Sequence, residues 1–148
     1  MADQTITELA LAFGRSMSEM RNAIRQHIQV KLKEHNIDIT FELLEVMALL
    51  WRKDGINQQE LADIAIKDKS SMTYLIDNLV KRNLVKRVED EIDRRSKRIF
   101  LTQDGKLLQK KIHPWIIKTY ENATAEVDAS EIEKALNLVK KMNKHLKK

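Results

Sequence analysis

Apolar residues recur at steps of three and four along most of this sequence, and that single periodicity restricts the chain to packed amphipathic helices. From Ile6 to Leu32 the series Ile6, Ala10, Phe13, Met17, Met20, Ile24, Ile28 and Leu32 predicts one long helix. At 1.5 Å per residue such a helix is about 40 Å long, more than a domain of this size needs for its own core. Part of its stripe is therefore expected to meet another chain. Three Gly and one Pro among 148 residues leave too little turn chemistry for a many-stranded fold, so an all-β sandwich and a collagen-like chain are excluded. The length suits one domain over residues 1–148.

The absence of Cys removes disulfides, thiolate catalysis, Cys-bound metal and thiol redox switching, and fits a reducing cytoplasm. Met1-Ala2-Asp3-Gln4 lacks a basic leader region, and no apolar run reaches the roughly 18 residues a membrane span needs, so neither export nor membrane insertion is expected. His27, His35, His113 and His145 are too far apart for a paired metal site, and most of them are expected on exposed helix surface. No cofactor and no metal is expected. No nucleophile–base motif or phosphate-cradling glycine loop is present, which argues against an enzyme, a small hydrolase included.

Thr40 precedes a second helix, Phe41 to Trp51, apolar nearly all round and thus central, with Gly55 as its stop. Asn57, with Glu60 three positions on, caps a short helix over Gln58 to Ile66 that turns Leu61, Ile64 and Ala65 inward. After the breaker Lys67-Asp68-Lys69, either Ser70 or Ser71 caps a further helix whose apolar face is Met72, Leu75, Ile76, Leu79 and Val80. Asn83 is its left-handed C-cap. Leu84 to Glu89 and Ser96 to Leu101 read as two strands around a charged tip, Asp90 to Arg95. Thr102 opens a helix running to about Ala125, which Pro114 should bend or split. Ser130 with Glu133 marks the start of the last helix, whose face is Ile132, Ala135, Leu136, Val139, Met142, Asn143 and Leu146 and whose end is rich in lysine up to Lys148.

Short helix, breaker, helix with a polar outer face, then a basic hairpin is the order a winged helix-turn-helix requires. By 100° of rotation per residue, Ser70, Thr73, Tyr74, Asp77, Asn78 and Lys81 point away from the apolar face. Short hydroxyls and amides there can meet bases or phosphates at small desolvation cost. Lys67 to Arg98 holds ten basic and six acidic residues, a net +4 against +5 for the whole chain, which favours a polyanionic partner. Asp77 would repel phosphate, and its expected task is to pair with a wing or strand arginine.

The stretch from Asp68 to Arg87, followed by Asp93-Arg94-Arg95-Ser96-Lys97-Arg98-Ile99-Phe100-Leu101-Thr102-Gln103-Asp104-Gly105, closely resembles the MarR family of bacterial transcriptional regulators. The Asp-x-Arg wing followed by Leu-Thr-x-x-Gly is the more specific part, and the flanking helices extend the resemblance over essentially the whole chain. It implies a mainly α fold with a small β-hairpin wing: a winged helix-turn-helix over about 38–102, with long dimerisation helices at about 5–35 and 103–148. It implies a homodimer on a pseudo-palindromic operator in double-stranded DNA, usually a repressor, with a pocket for a small aromatic or lipophilic effector. Ser70, Ser71, Thr73, Tyr74 and Asn78 fall on recognition-helix positions, Arg95 on the minor-groove arginine, and Asp93 on the acid that sets the wing, expected on the same side of a strand as Arg95. The basic residues Lys69, Lys81, Arg94 and Lys97 complete the expected DNA-binding set. Asn83 replaces the family's usual glycine, and the lack of Cys excludes its thiol-oxidising sensors.

Met17, Met20, Met47, Trp51 and Trp115 are expected in the core or a dimer interface, and the sequence assigns no residue to an effector pocket. The rival reading is a helical protein-interaction adaptor that keeps the winged fold without using it on DNA; an apolar outer face would mark it.

Overall fold

Thr5 starts the first helix with a reciprocal cap: the Glu8 N–H donates to Thr5 Oγ1 at 3.1 Å and the Thr5 N–H to Glu8 Oε2 at 3.0 Å. The computed structural model describes residues 3–147; Met1, Ala2 and Lys148, which entered the sequence reading, lie outside the described residues. The elements are α1 (Ile6–Glu34), α2 (Phe41–Arg52), β1 (Ile56–Asn57), α3 (Gln58–Ile64), α4 (Lys69–Lys81), β2 (Val85–Glu89), β3 (Lys97–Leu101), α5 (Gln103–Ala123) and α6 (Ala129–Leu146). The fold is mainly α with a small antiparallel sheet in the order β1-β3-β2, as the expected fold class has it. Two compact units meet in sequence between Trp115 and Ile116.

In the first unit α2 is central. Leu43, Leu44, Val46, Met47 and Leu50 are buried, along with Leu61 and Ala62 of α3, Met72, Leu75, Ile76 and Leu79 of α4, and Ile99 of β3. Thr40 caps α2, its hydroxyl accepting from the Leu43 N–H at 3.2 Å. Gly55 does not stop that helix: Lys53 does, and Gly55 turns the chain into β1 at φ +72°. A Cβ there would lie 2.7 Å from the Phe100 ring, so space and backbone together demand glycine. Asn57 caps α3 as expected, accepting from the N–H groups of Gln59 and Glu60. The helix ends at Ile64 rather than Ile66, because Ile66 takes a left-handed φ of +53° and Lys67 closes the turn onto the Ala62 carbonyl at 2.9 Å. Ile64, expected inward, is 52% exposed, and Ala62 takes the inward place.

The cap of α4 also differs from the expectation. Asp68 is the N-cap, accepting from the Ser71 N–H at 2.7 Å, so Lys69 is already helical and neither Ser70 nor Ser71 caps. Of its expected apolar face only Val80 stays out, at 38% exposure. Arg82 ends the helix and Asn83 follows at φ +58°, donating to the Val80 carbonyl, while Leu84 donates to that of Leu79. Thr102 then fastens the return: its hydroxyl donates to the Asn83 carbonyl at 2.6 Å and accepts from the Gly105 N–H at 3.1 Å. A Cβ on Gly105 would stand 2.2 Å from the Leu84 carbonyl oxygen, which gives the Leu-Thr-x-x-Gly pattern its physical reason. Trp51 Nε1 donates to the Gly105 carbonyl at 3.0 Å.

Pro114 does not split α5, which is one helix from Gln103 to Ala123. In α6 the expected Ser130–Glu133 cap gives way to Asp128, whose N–H donates to Glu131 Oε1 at 3.3 Å. None of the α6 residues is buried, and of the α1 stripe only Ile28 and Leu32 are. No described helix is long and apolar enough to cross a membrane.

Candidate nucleic-acid interface

α4 presents its polar residues from a buried apolar base, with Ser70, Ser71, Tyr74 and Lys81 exposed and Thr73, Asp77 and Asn78 half-buried. Asn78 Nδ2 donates to the Tyr74 carbonyl at 2.9 Å, one turn back along the helix. The Asp68 carboxyl is held below its ordinary value of 3.8, chiefly because the Ser71 backbone N–H donates to it. Ser70, Ser71, Tyr74 and Leu75 of α4 line one cleft together with Glu42 of α2.

On the other flank a cleft of about 250 Å³ brings together Lys69 of α4, Asn57 and Gln58 at the start of α3, and Asp93, Arg95 and Lys97 of the wing. Four of the residues singled out from the sequence thus share one opening. The wing is tied to the helix pair through Asn57, whose Nδ2 donates to Ser96 Oγ, and Arg98, whose Nη1 donates to the Gly55 carbonyl at 3.1 Å. β2 and β3 pair in register from Val85↔Leu101 to Glu89↔Lys97, and Lys97 Nζ meets Glu89 Oε1 at 2.7 Å. The added strand β1 sets Ile56 against Ile99, which gives the hairpin the packing support a two-stranded ribbon lacks.

Asp93 and Arg95 do not lie in a strand; both sit in the tip. There the Arg95 backbone N–H donates to Asp93 Oδ1 at 3.0 Å, so the carboxylate fixes the turn rather than the guanidinium. Asp90 does the same for the Ile92 N–H at 2.9 Å, and that bond is the main cause holding its carboxyl below 3.8. Arg94 and Arg95 are exposed at the tip.

The acid expected to pair with an arginine does so: Arg87 Nη2 lies 2.7 Å from Asp77 Oδ1. Two residues that the sequence reading passed over belong to the same group. Arg87 Nε donates to Gln58 Oε1 at 3.1 Å, and Gln58 Nε2 donates to Thr73 Oγ1 at 3.1 Å. The signal was strand alternation: Arg87 is two residues from buried Val85 and shares its face of β2, where a guanidinium needs an acid. Among the described residues no group of three or more His, Asp or Glu is placed to hold a metal ion. His35 is exposed, and its ring also meets that of Trp115 in a tilted contact with centroids 4.6 Å apart, while Nδ1 lies 2.9 Å from the Lys31 carbonyl. Met47 is fully buried, as expected of a core residue, whereas Met20 is 55% exposed.

The profile described as the MarR family matches residues 39–97. HosA, a transcriptional regulator of Escherichia coli O127:H6, is 26% identical over 87% of this chain and 95% of its own. The HTH-type transcriptional regulator SarZ of Staphylococcus aureus is 30% identical over 68% of each chain. A MarR transcriptional regulator from Methanosarcina mazei Go1 superposes with a TM-score of 0.78 at 28% identity, covering 90% of this chain and 94% of its own. A mutant MarR from E. coli, solved in complex with operator DNA, has the same fold, with a TM-score of 0.76 at 21% identity over 94% of this chain and 99% of its own.

Proposed function

The chain belongs to the MarR family, whose members are transcriptional regulators and not enzymes, and from that membership we propose a cytoplasmic homodimeric repressor that binds a pseudo-palindromic operator and is released by a small aromatic or lipophilic ligand. The observation that carries the DNA reading is the shared cleft: Lys69 of α4 and Arg95 and Lys97 of the wing face one opening beside a helix whose outer side is polar. A protein-interaction adaptor would present an apolar surface there. The E. coli MarR structure on operator DNA supports the same use of the fold.

In this reading Ser70, Ser71, Thr73, Tyr74 and Asn78 meet the major groove. Lys69, Lys81, Arg94 and Lys97 serve the phosphates, and Arg95 enters the minor groove from a tip that Asp93 holds. The dimer forms through residues 5–35 and 103–148, which carry exposed apolar side chains from Ile6 to Leu146. An isologous pair then sets two recognition helices about one DNA turn apart. A ligand acts only through its different affinities for the DNA-competent and incompetent spacings, typically about 1–3 kcal/mol.

Selection from a random duplex pool, followed by binding at two salt concentrations, tests the reading. Arg95→Ala is expected to lose about 1–3 kcal/mol of operator affinity and to lower the salt slope by about one. Parent-like DNA binding by folded Arg95→Ala leaves the wing a structural element, and failure to enrich any site favours the adaptor. Aromatic carboxylates are the first ligands to screen; no change in melting or DNA affinity across a broad set removes the effector from the proposal.

A further inference from the structure

Three side chains behind the outer face of α4 decide what the Thr73 hydroxyl has left to offer. Arg87 donates from Nη2 to Asp77 Oδ1 at 2.7 Å and from Nε to Gln58 Oε1 at 3.1 Å. A guanidinium has donors only, so Gln58 must turn its carbonyl toward Arg87 and its amide nitrogen the other way. That nitrogen donates to Thr73 Oγ1 at 3.1 Å, and the Thr73 hydroxyl donates in turn to the Lys69 carbonyl at 2.9 Å. A hydroxyl has one hydrogen and two acceptor positions. Its hydrogen is committed to Lys69 and one acceptor position to Gln58, so one acceptor position remains.

We infer that Thr73 is a specificity-determining residue that reads DNA as an acceptor only, its hydrogen taken by the Lys69 carbonyl, with Gln58, Arg87 and Asp77 as positioning residues that fill its second acceptor position and so fix the direction of the remaining one; the inference rests on the DNA-binding reading above. In the major groove adenine N6 and cytosine N4 carry donors, whereas guanine and thymine present acceptors at the corresponding positions. Thr73 therefore favours adenine or cytosine on the strand it faces and disfavours guanine or thymine, whose oxygens would stand against its remaining lone pair. The direction of the chain is set from its far end by the Asp77–Arg87 ion pair, because reversing Gln58 would put its NH₂ against the guanidinium. Gln58 and Arg87 thus act on base choice through Thr73.

The test uses the duplex selected by the full-length parent and all single base substitutions in one half-site, with competition binding at two salt concentrations. The proteins are the parent, Thr73→Ser, Thr73→Val and Gln58→Met, each checked by thermal melting. Parent and Thr73→Ser should prefer adenine or cytosine at one shared position by about tenfold, and Thr73→Val should lose that preference. Gln58→Met keeps the side-chain length and removes both hydrogen bonds of that side chain, which frees the second acceptor position of Thr73 so that its hydroxyl is no longer held in one direction, while the Lys69 carbonyl still takes its hydrogen. At the same position this variant should then tolerate guanine or thymine within about threefold of the preferred base, with the parent's salt slope. A uniform loss of affinity across all positions, or a parent-like base profile in folded Gln58→Met or Thr73→Val, overturns the inference while leaving DNA binding intact. A parent that enriches no duplex overturns the DNA reading and this inference with it.

Discussion

α4 and α6 carry the same three-and-four apolar spacing and end in opposite states. Met72, Leu75, Ile76 and Leu79 of α4 are all buried within their own unit, whereas no residue of α6 is, and Leu136 remains 52% exposed. Periodicity states that a helix has a face to cover; it does not state which chain covers it. The surroundings of α4 are complete, with α2 and the sheet packed against its face and the Asp77–Arg87–Gln58 chain fixed to its polar side. α6 has its cap, its acidic first turn and its basic last turn, yet its stripe lies uncovered. A covered helix suits presenting a fixed polar surface, and an uncovered one suits pairing with a second copy.

The largest test of this contrast lies inside α4. Ile76 is fully buried, and Ile76→Ala removes three carbons from a packed site, so urea unfolding should show a loss of about 2–5 kcal/mol. Leu136→Lys on α6 should leave the unfolding of the dilute single chain near that of the parent. Its effect should appear in self-association, weakened by about tenfold to a hundredfold for the roughly 1.5–3 kcal/mol that burial of a Leu side chain supplies. Sedimentation over a range of concentrations reads it. If Leu136→Lys costs the dilute chain as much as Ile76→Ala does, α6 is covered within its own chain and the contrast breaks.

The same contrast explains what was legible in the sequence. Elements with their own strong signal came through: the apolar α2, the Thr40 and Asn57 caps, Asn83 at positive φ, and the pairing of Asp77 with an arginine. β1 did not, because two residues become a strand only by facing Ile99 and Arg98 of a segment some forty positions away. The caps of α4 and α6 were misplaced where several capping residues stand in a row. Asp68, Ser70 and Ser71 can all accept an N–H, and the tertiary course of the turn after Ile66 selects Asp68. Gln58 was invisible as part of the site for a related reason: its two hydrogen bonds reach α4 and β2, fifteen and twenty-nine positions away.

The smallest effect belongs to Asp68, and it separates the rigid presentation of α4 from its burial. The carboxylate accepts from the Ser71 N–H at 2.7 Å at the positive end of the helix, and that bond, more than any charge nearby, holds its pKa below the ordinary 3.8. A carboxyl whose folded pKa is depressed stabilises the fold above the unfolded value and loses that contribution as pH falls through the folded one. Asp68→Asn keeps a capping oxygen and removes the charge. The variant should therefore melt slightly below the parent at pH 7, and the gap should close only below about pH 4, near the reference Asp pKa. Melting curves at pH 7, 5, 4 and 3 measure it. Because Asp68 leaves the apolar face of α4 untouched, the variant should keep the parent's denaturant slope, which tracks the surface exposed on unfolding. A gap that stays constant down to pH 3 would mean that the charge contributes nothing at this helix end, and that burial alone holds the outward face of α4 in place.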